Sequence, residues 1–181
     1  MNNSSRNKII ILGYGWVGQA NALALVRMGH EVFYYDIVEP QKHYSEYTDL
    51  YKKILPINSL LEYDGPDTWY LVCVGDKVHD DGKQDISLIS NALESLKLAK
   101  GRVMLRSTVL PHLLKDLKFD LYLPEFLHEM KAVEECLSPF YFVVGIRTPL
   151  EKYPLFLNEW RARANKIFEG TPEEASYIKY L

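Results

Sequence analysis

Cysteine is scarce in this chain, and the two present, Cys73 in "WYLVCVG" and Cys136 in "VEECLSP", have no metal-ligand or redox spacing. Both read as buried or incidental residues, and no metal site is expected. Clustered positive charge is also missing. With a net charge of −3 and no Lys/Arg-rich run, nothing in the sequence neutralises a phosphate backbone, which argues against a nucleic-acid partner. The apolar stretch that follows the polar "MNNSSRNK" is broken by Gly13 and Gly15 before it could form a signal-peptide core or a membrane span. A cytoplasmic protein without a membrane partner is the expectation. Internal repeats, low-complexity tracts and linkers are absent too, and 181 residues suit one well-buried domain better than two of ordinary size.

What is present is a regular alternation of strand and helix patterns. Lys8–Leu12 is a short β-branched run ended by glycine, which predicts a buried strand. "WVGQANALALVRMG" follows with helical composition and Gly29 placed as its C-terminal cap, and "EVFYYD" predicts a second strand. Together they form a βαβ unit, which requires a parallel strand pair. A Tyr-rich helix is predicted around "SEYTDLYKKI", then a loop carrying "DGPD". Further strands are predicted at "TWYLVCVG", "RVMLRS", "DLYLPEF", "FYFVVG" and "KIFEG". Helices are predicted at "DISLISNALESLKLA", with Asp85 or a neighbour at its start and Gly101 past its end, at "TVLPHLLKDL", with Thr108 near its cap, and at "EKYPLFLNEWRARAN". Thr171, Pro172, Glu173 and Glu174 form a strong helix start for "TPEEASYIKYL". The alternation predicts a single α/β domain, a Rossmann-like doubly wound, mostly parallel sheet. Its boundaries are read as a flexible tail over 1–7, a dinucleotide-binding domain over 8–170, and the start of a new helix over 171–181.

Ligands on such sheets sit at the carboxyl ends of the strands, so function is expected after Leu12, near Asp36, around Val74 and Gly75, at Ser107 and Thr108, and around Glu125. The glycines Gly13, Gly15 and Gly18 are spaced G-x-G-x-x-G between a strand and a helix. A dinucleotide pyrophosphate needs bare backbone N–H groups there and a turn without side chains. In order, they supply the tight turn, the close approach and the helix-to-strand packing. Trp16 and Val17 complete the cradle at the start of the helix, the Trp16 ring being expected to pack against the sheet. Asp36 ends the next strand, where an acid accepts hydrogen bonds from the adenosine ribose hydroxyls. Its charge repels a 2′-phosphate, and no arginine in "DIVEPQ" offsets it, so NAD is favoured over NADP. His30, His43, His79, His112 and His128 are scattered and read as surface or turn residues.

Beyond this fingerprint, "VCVG…DGKQD", "LRSTVLP", "LPEFLHEMKAVEECLSPFYFVVG" and "TPEEASYIKYL" follow in an order that resembles the N-terminal NAD-binding domain of the UDP-glucose/GDP-mannose dehydrogenase family, from Lys8 to Leu181. That resemblance implies oxidation of a nucleotide sugar's C6 hydroxyl to a carboxylate in two NAD-dependent steps through a cysteine-bound intermediate. It places Thr108 near the nicotinamide and a catalytic water, Glu125 near cofactor and sugar, and Glu129 as the glutamate that assists water activation. Lys179 becomes the lysine that stabilises the developing oxyanion. The same resemblance makes the helix over 171–181 the start of a truncated connecting and dimerisation helix. The chain departs from the family pattern at Gly75–Asp76–Lys77, His112, Leu123, Met130 and Tyr141, chiefly at the sugar-facing rim.

Family enzymes carry their nucleophilic cysteine in a second domain, and neither Cys73 nor Cys136 matches it. The expectation is a cofactor-binding half that works with a separate C-terminal domain chain on a nucleotide-sugar substrate, as a monomer or weak homodimer with an exposed apolar face on "ASYIKYL". The alternative is an NAD(H)-binding module without turnover. A small-hydroxy-acid dehydrogenase would need a helical C-terminal domain with its own catalytic lysine or histidine.

Overall fold

A computed structural model describes residues 6–181 of the chain. Strand β1 (Lys8–Leu12) leads through the glycine turn into helix α1 (Trp16–Arg27) and strand β2 (Glu31–Tyr35). A 3-10 turn at Ser45–Tyr47 continues into α2 (Thr48–Tyr51) and a short strand β3 (Leu55–Pro56) that the polar sequence around it had hidden. Then come β4 (Thr68–Val72), a hairpin of β5 (Lys77–Val78) and β6 (Gln84–Asp85), α3 (Ser87–Ser95) and β7 (Arg102–Leu105). The chain continues through α4 (Pro111–Leu114), β8 (Leu121–Tyr122), a 3-10 turn at Glu129–Lys131, α5 (Ala132–Leu137) and β9 (Tyr141–Ile146). It ends with α6 (Leu155–Arg163), β10 (Lys166–Gly170) and α7 (Pro172–Tyr180).

The main sheet has eight strands in the order β10-β9-β8-β7-β4-β1-β2-β3, a Rossmann-type doubly wound α/β arrangement. All neighbours pair in parallel except β8 and β9, which run antiparallel. The strand order reverses at β1, whose neighbours are β2 on one side and β4 on the other, so the crevice for a ligand opens beyond Leu12. The alternation within β1 shows how both faces are covered. Ile9 and Ile11 pack with α1, α5 and α6, whereas Ile10 and Leu12 pack with α3, α4 and α7. A strand buried on both faces reads as a continuous apolar run, which is why "KIIIL" shows no polar alternation.

Several local expectations are corrected by packing. Gly29, at φ +92°, does follow the end of α1 in the left-handed conformation. Gly101, however, caps nothing, because α3 ends at Ser95; a Cβ on Gly101 would lie 2.5 Å from the Thr68 carbonyl oxygen, so the residue serves close contact with β4. Thr108 precedes α4 by too much to cap it, and Leu110 holds that position ahead of Pro111. His30 is buried rather than superficial: its Nδ1 accepts the Asn7 N–H at 3.2 Å and its Nε2 meets Glu159 at 2.9 Å. Asn7, expected in the tail, also accepts the Phe156 N–H on its side-chain oxygen; residues 1–5 of that tail lie outside the described residues.

Candidate functional site

The three glycines of the β1–α1 turn are held to their spacing by three different constraints. Gly13 has φ +90°, and a Cβ there would lie 2.8 Å from Val74 Cγ1 and 2.9 Å from the Val74 nitrogen. At Gly18 a Cβ would sit 2.0 Å from the Gly13 carbonyl oxygen, so α1 can approach β1 only without a side chain. A Cβ on Gly15 would meet nothing within 4 Å. Nothing among the described residues needs Gly15 bare, and the open space above it is what an approaching phosphate requires. Helix α1 begins at that point with no acidic residue in its first turn and no side-chain cap, leaving its N–H groups and the positive end of its dipole open to an anion.

Asp36 stands beside this turn. Its Oδ2 accepts the Tyr14 N–H at 2.6 Å and its Oδ1 accepts the Val38 N–H at 3.1 Å. The carboxylate therefore holds the glycine turn against the end of β2 while remaining an acceptor. A residue that sequence reasoning missed completes the support. Gln19, fully buried in α1, donates to the carbonyls of Tyr14 (2.8 Å) and Gln41 (2.7 Å) and accepts from the His43 N–H (3.0 Å) and the Tyr51 hydroxyl (2.5 Å). A polar residue in an otherwise apolar helix face was the available signal. Trp16 does not pack against the sheet as expected. It is 44% exposed and stacks on His43 at 4.1 Å between ring centroids, with Tyr44 edge-on. Val17, next in α1, packs partly against the core.

On the other side of β1, the ends of β4 and β7 are joined by side chains. Ser107 donates its hydroxyl to the Val74 carbonyl at 2.6 Å, and Gly75 lies exposed just beyond. The β5–β6 hairpin contributes Gln84, whose amide nitrogen donates to the Thr108 carbonyl (2.8 Å) and to Asp76 (2.6 Å) while its oxygen accepts the Leu110 N–H (2.9 Å). Thr108 is thereby fixed through its backbone, half-buried, at the carboxyl end of β7.

Helix α7 connects this loop to the next. Its start is a full capping box between Thr171 and Glu174, as the sequence predicts. From there Ser176, fully buried, donates to the Val109 carbonyl at 2.6 Å, and Lys179 Nζ donates to the Glu125 carbonyl at 2.5 Å. Lys179 Nζ also lies 3.6 Å from Glu125 Oε1 and 5.0 Å from the Phe126 ring centroid. Glu125 turns its other oxygen to the Leu127 N–H at 2.8 Å. The structure thus brings Glu125 and Lys179 together from 54 residues apart. Glu129 stands apart from them, exposed on the 3-10 turn, and among the described residues no hydrogen bond or ion pair links it to Thr108 or Lys179. Because α7 lies on the protein, its exposed apolar face is narrower than the sequence suggests. Ala175 is buried and Ile178 packs against the core, leaving Tyr177, Tyr180 and Leu181.

Neither cysteine offers a nucleophile. Cys73 lies just past the end of β4 rather than in mid-strand, and Cys136 lies on α5; both are buried, and burial pushes both thiols up to about 12. Among the described residues there is no cluster of His, Cys, Asp and Glu suited to a metal ion, and no helix is long and apolar enough to cross a membrane.

No family model matches this sequence, and no curated protein matches it. Solved structures do. GDP-mannose dehydrogenase from Pseudomonas aeruginosa aligns with a TM-score of 0.81 at 23% identity, over 96% of this chain and 48% of that one. A UDP-glucose dehydrogenase from the hyperthermophilic archaeon Pyrobaculum islandicum gives 0.80 at 23%, over 99% of this chain and 50% of that one. The UDP-N-acetyl-mannosamine dehydrogenase Cap5O from S. aureus gives 0.70 at 18%, over 95% and 49%. The chain spans about half the length of each of these. At such identity the likeness is one of fold, and the fold is that of Rossmann-type dehydrogenases.

Proposed function

We propose that this chain is the cofactor-binding half of an NAD-dependent nucleotide-sugar dehydrogenase. The observation that carries the reading is the meeting of Lys179 with Glu125 at the carboxyl edge of a sheet whose first turn leaves Gly15 open. The cofactor fits the residues present. Gly15 and the uncapped start of α1 would hold the pyrophosphate, with Trp16, Val17 and Gly18 around it, and Asp36 would accept the ribose hydroxyls and disfavour a 2′-phosphate. Val74, Gly75, Ser107 and Thr108 would border the nicotinamide. When bound, NAD supplies the hydride acceptor for oxidation of an alcohol. The chain's own part is to place fixed charge where the alcohol oxygen becomes anionic. Lys179 serves that purpose, since its ammonium is held in place by the Glu125 carbonyl and partly shielded from water. Glu125 would border the sugar, and Glu129, exposed on the 3-10 turn, would assist a water.

A complete oxidation to the carboxylate needs a thiol that this half does not offer, because both cysteines are buried. The nucleophile therefore comes from a second domain, on the same or a separate polypeptide. Mixing the protein with NAD and UDP-glucose, with and without a candidate second domain, tests the proposal by the appearance of NADH. Its absence in both mixtures defeats the catalytic reading. The same buried thiols favour a second reading, a module that binds NAD(H) without turnover, and calorimetric titration separates the two: NAD binding without hydride transfer supports the module, and no binding removes both.

A further inference from the structure

Away from the glycine turn, a cavity of ≈ 550 Å³ opens between the carboxyl end of β8, the start of β9, and helices α5 and α6. Its walls include Phe126, Phe140, Phe142 and Cys136. Two further lining residues, Arg106 and Trp160, are almost wholly buried, at 6% and 2% exposure. Arg106 follows the end of β7 and Trp160 lies on α6, with the guanidinium carbon 5.4 Å from the indole centroid. Arg106 donates one N–H to the Leu123 carbonyl at 3.1 Å. Among the described residues its Nε has no hydrogen-bond partner, and neither does Trp160 Nε1. Ion pairs are made by Arg27, Arg102, Arg147 and Arg161, but among the described residues none is made by Arg106.

Both orphaned groups are donors. A buried donor without an acceptor is destabilising, and a buried charge without a counter-charge more so, so such a pair calls for an acceptor that the described residues do not supply. We propose that this cavity binds a small organic carboxylate with an apolar body, its carboxylate against Arg106 and Trp160 and its body among the Phe126, Phe140 and Phe142 side chains. A carboxylate suits the site better than a phosphate. The planar guanidinium matches its two oxygens, and a single negative charge suits a wall that also carries Glu135, itself held by the His128 N–H at 2.6 Å and the His128 ring at 2.7 Å. The volume lies in the range of small-molecule sites, and the aromatic walls favour a ring. Because Lys179 and Phe126 line the same cavity, an occupant touches the helix and loop that bear the Lys179–Glu125 contact. The inference rests on Arg106, Trp160 and the cavity, and it is independent of the cofactor reading.

Calorimetric titration of the purified chain with 3-phenylpropionate, in the absence of NAD, tests it, with 3-phenylpropionamide as the neutral control. Saturable binding of the acid, with the amide at least about tenfold weaker, is the expected result, since the charge-assisted bond is the discriminating contact. Arg106→Gln should weaken the acid about tenfold or more while leaving the amide unchanged. Should that variant fail to fold, Cys136→Met, which narrows the cavity and keeps the guanidinium, should abolish binding of both. Equal affinity for acid and amide, binding undiminished in the foldable variant, or no saturable binding at millimolar ligand would each overturn the proposal, the last assigning the two donors to enclosed water.

Discussion

Tyr14, in the β1–α1 turn, and Asp36, just past the end of β2, are joined by a 2.6 Å hydrogen bond from the Tyr14 N–H to Asp36 Oδ2. The residue that would choose between cofactors is therefore also a support of the turn that would hold them. Asp36→Asn keeps an acceptor oxygen for Tyr14 and removes the charge. It should retain the folded turn and narrow the preference for NAD over NADP by about tenfold, as read by calorimetric titration of both cofactors. An unchanged ratio would show that Asp36 acts on the turn alone.

Gly15 and Gly18 should respond in opposite ways to the same change. Gly15→Ala meets open space, so thermal stability should stay near that of the parent while NAD affinity falls. Gly18→Ala drives a Cβ against the Gly13 carbonyl and should cost about 1–3 kcal/mol of stability, read by urea unfolding. Equal loss of stability in both variants would contradict the division of roles.

Gln19→Leu should be among the most damaging single changes near the turn. It removes the partner of the Tyr51 hydroxyl, the His43 N–H and the carbonyls of Tyr14 and Gln41, all in partly or wholly buried surroundings. A loss of roughly 2–4 kcal/mol is expected by urea unfolding, with weaker NAD binding because the loop that carries His43 loosens behind Trp16.

Lys179→Met keeps much of the side chain's length but not its charge. Stability should fall by no more than about 1 kcal/mol, because the ammonium is partly exposed and its carbonyl partner can be hydrated. Turnover measured with a competent second domain should fall about 10²–10³-fold with little change in NAD affinity. A comparable loss of NAD affinity would make Lys179 a structural strut.

Asp64 gives stability a pH dependence of defined sign. Burial alone raises its pKa, but the N–H groups of Lys100 (2.8 Å) and Gly101 (3.0 Å) and the Tyr70 hydroxyl (3.0 Å) stabilise the carboxylate, and the net shift is downward from 3.8. A pKa lowered in the folded state contributes stability that is fully present above the unfolded value and is lost as pH falls through the folded one. Asp64→Asn should therefore lower the melting temperature at neutral pH, and the difference from the parent should shrink below pH 3.8. A difference that persists in acid would assign the effect to hydrogen-bond geometry instead of charge.

Much of the architecture was legible because the cues for it are local. The apolar run of β1, the glycine spacing, the acid at the end of β2 and the Thr171–Glu174 capping box each lie within a few residues of the structure they specify. Local cues failed where a residue's role depends on a distant neighbour. Nothing beside Gly101 announces the Thr68 carbonyl it must clear, and nothing beside His30 announces Asn7 and Glu159. Trp16 lacked a local marker for its His43 stack. The strand at Leu55–Pro56 is specified by pairing with β2 and not by its own pattern.

By itself, the amino-acid sequence determined the alternation of the longer strands and helices, the parallel βαβ start and the open glycine turn, but not β3, the β5–β6 hairpin or α5, because periodicity, φ restriction and capping act over a single turn or strand. Tertiary structure alone decided which chemistry-bearing side chains meet. Lys179 reaches Glu125 only because α7 is anchored through Ser176 to the Val109 carbonyl, and Arg106 faces Trp160 only because α6 covers that face of the sheet. Such meetings depend on how layers pack across long sequence separations, where no short-range preference can specify a partner.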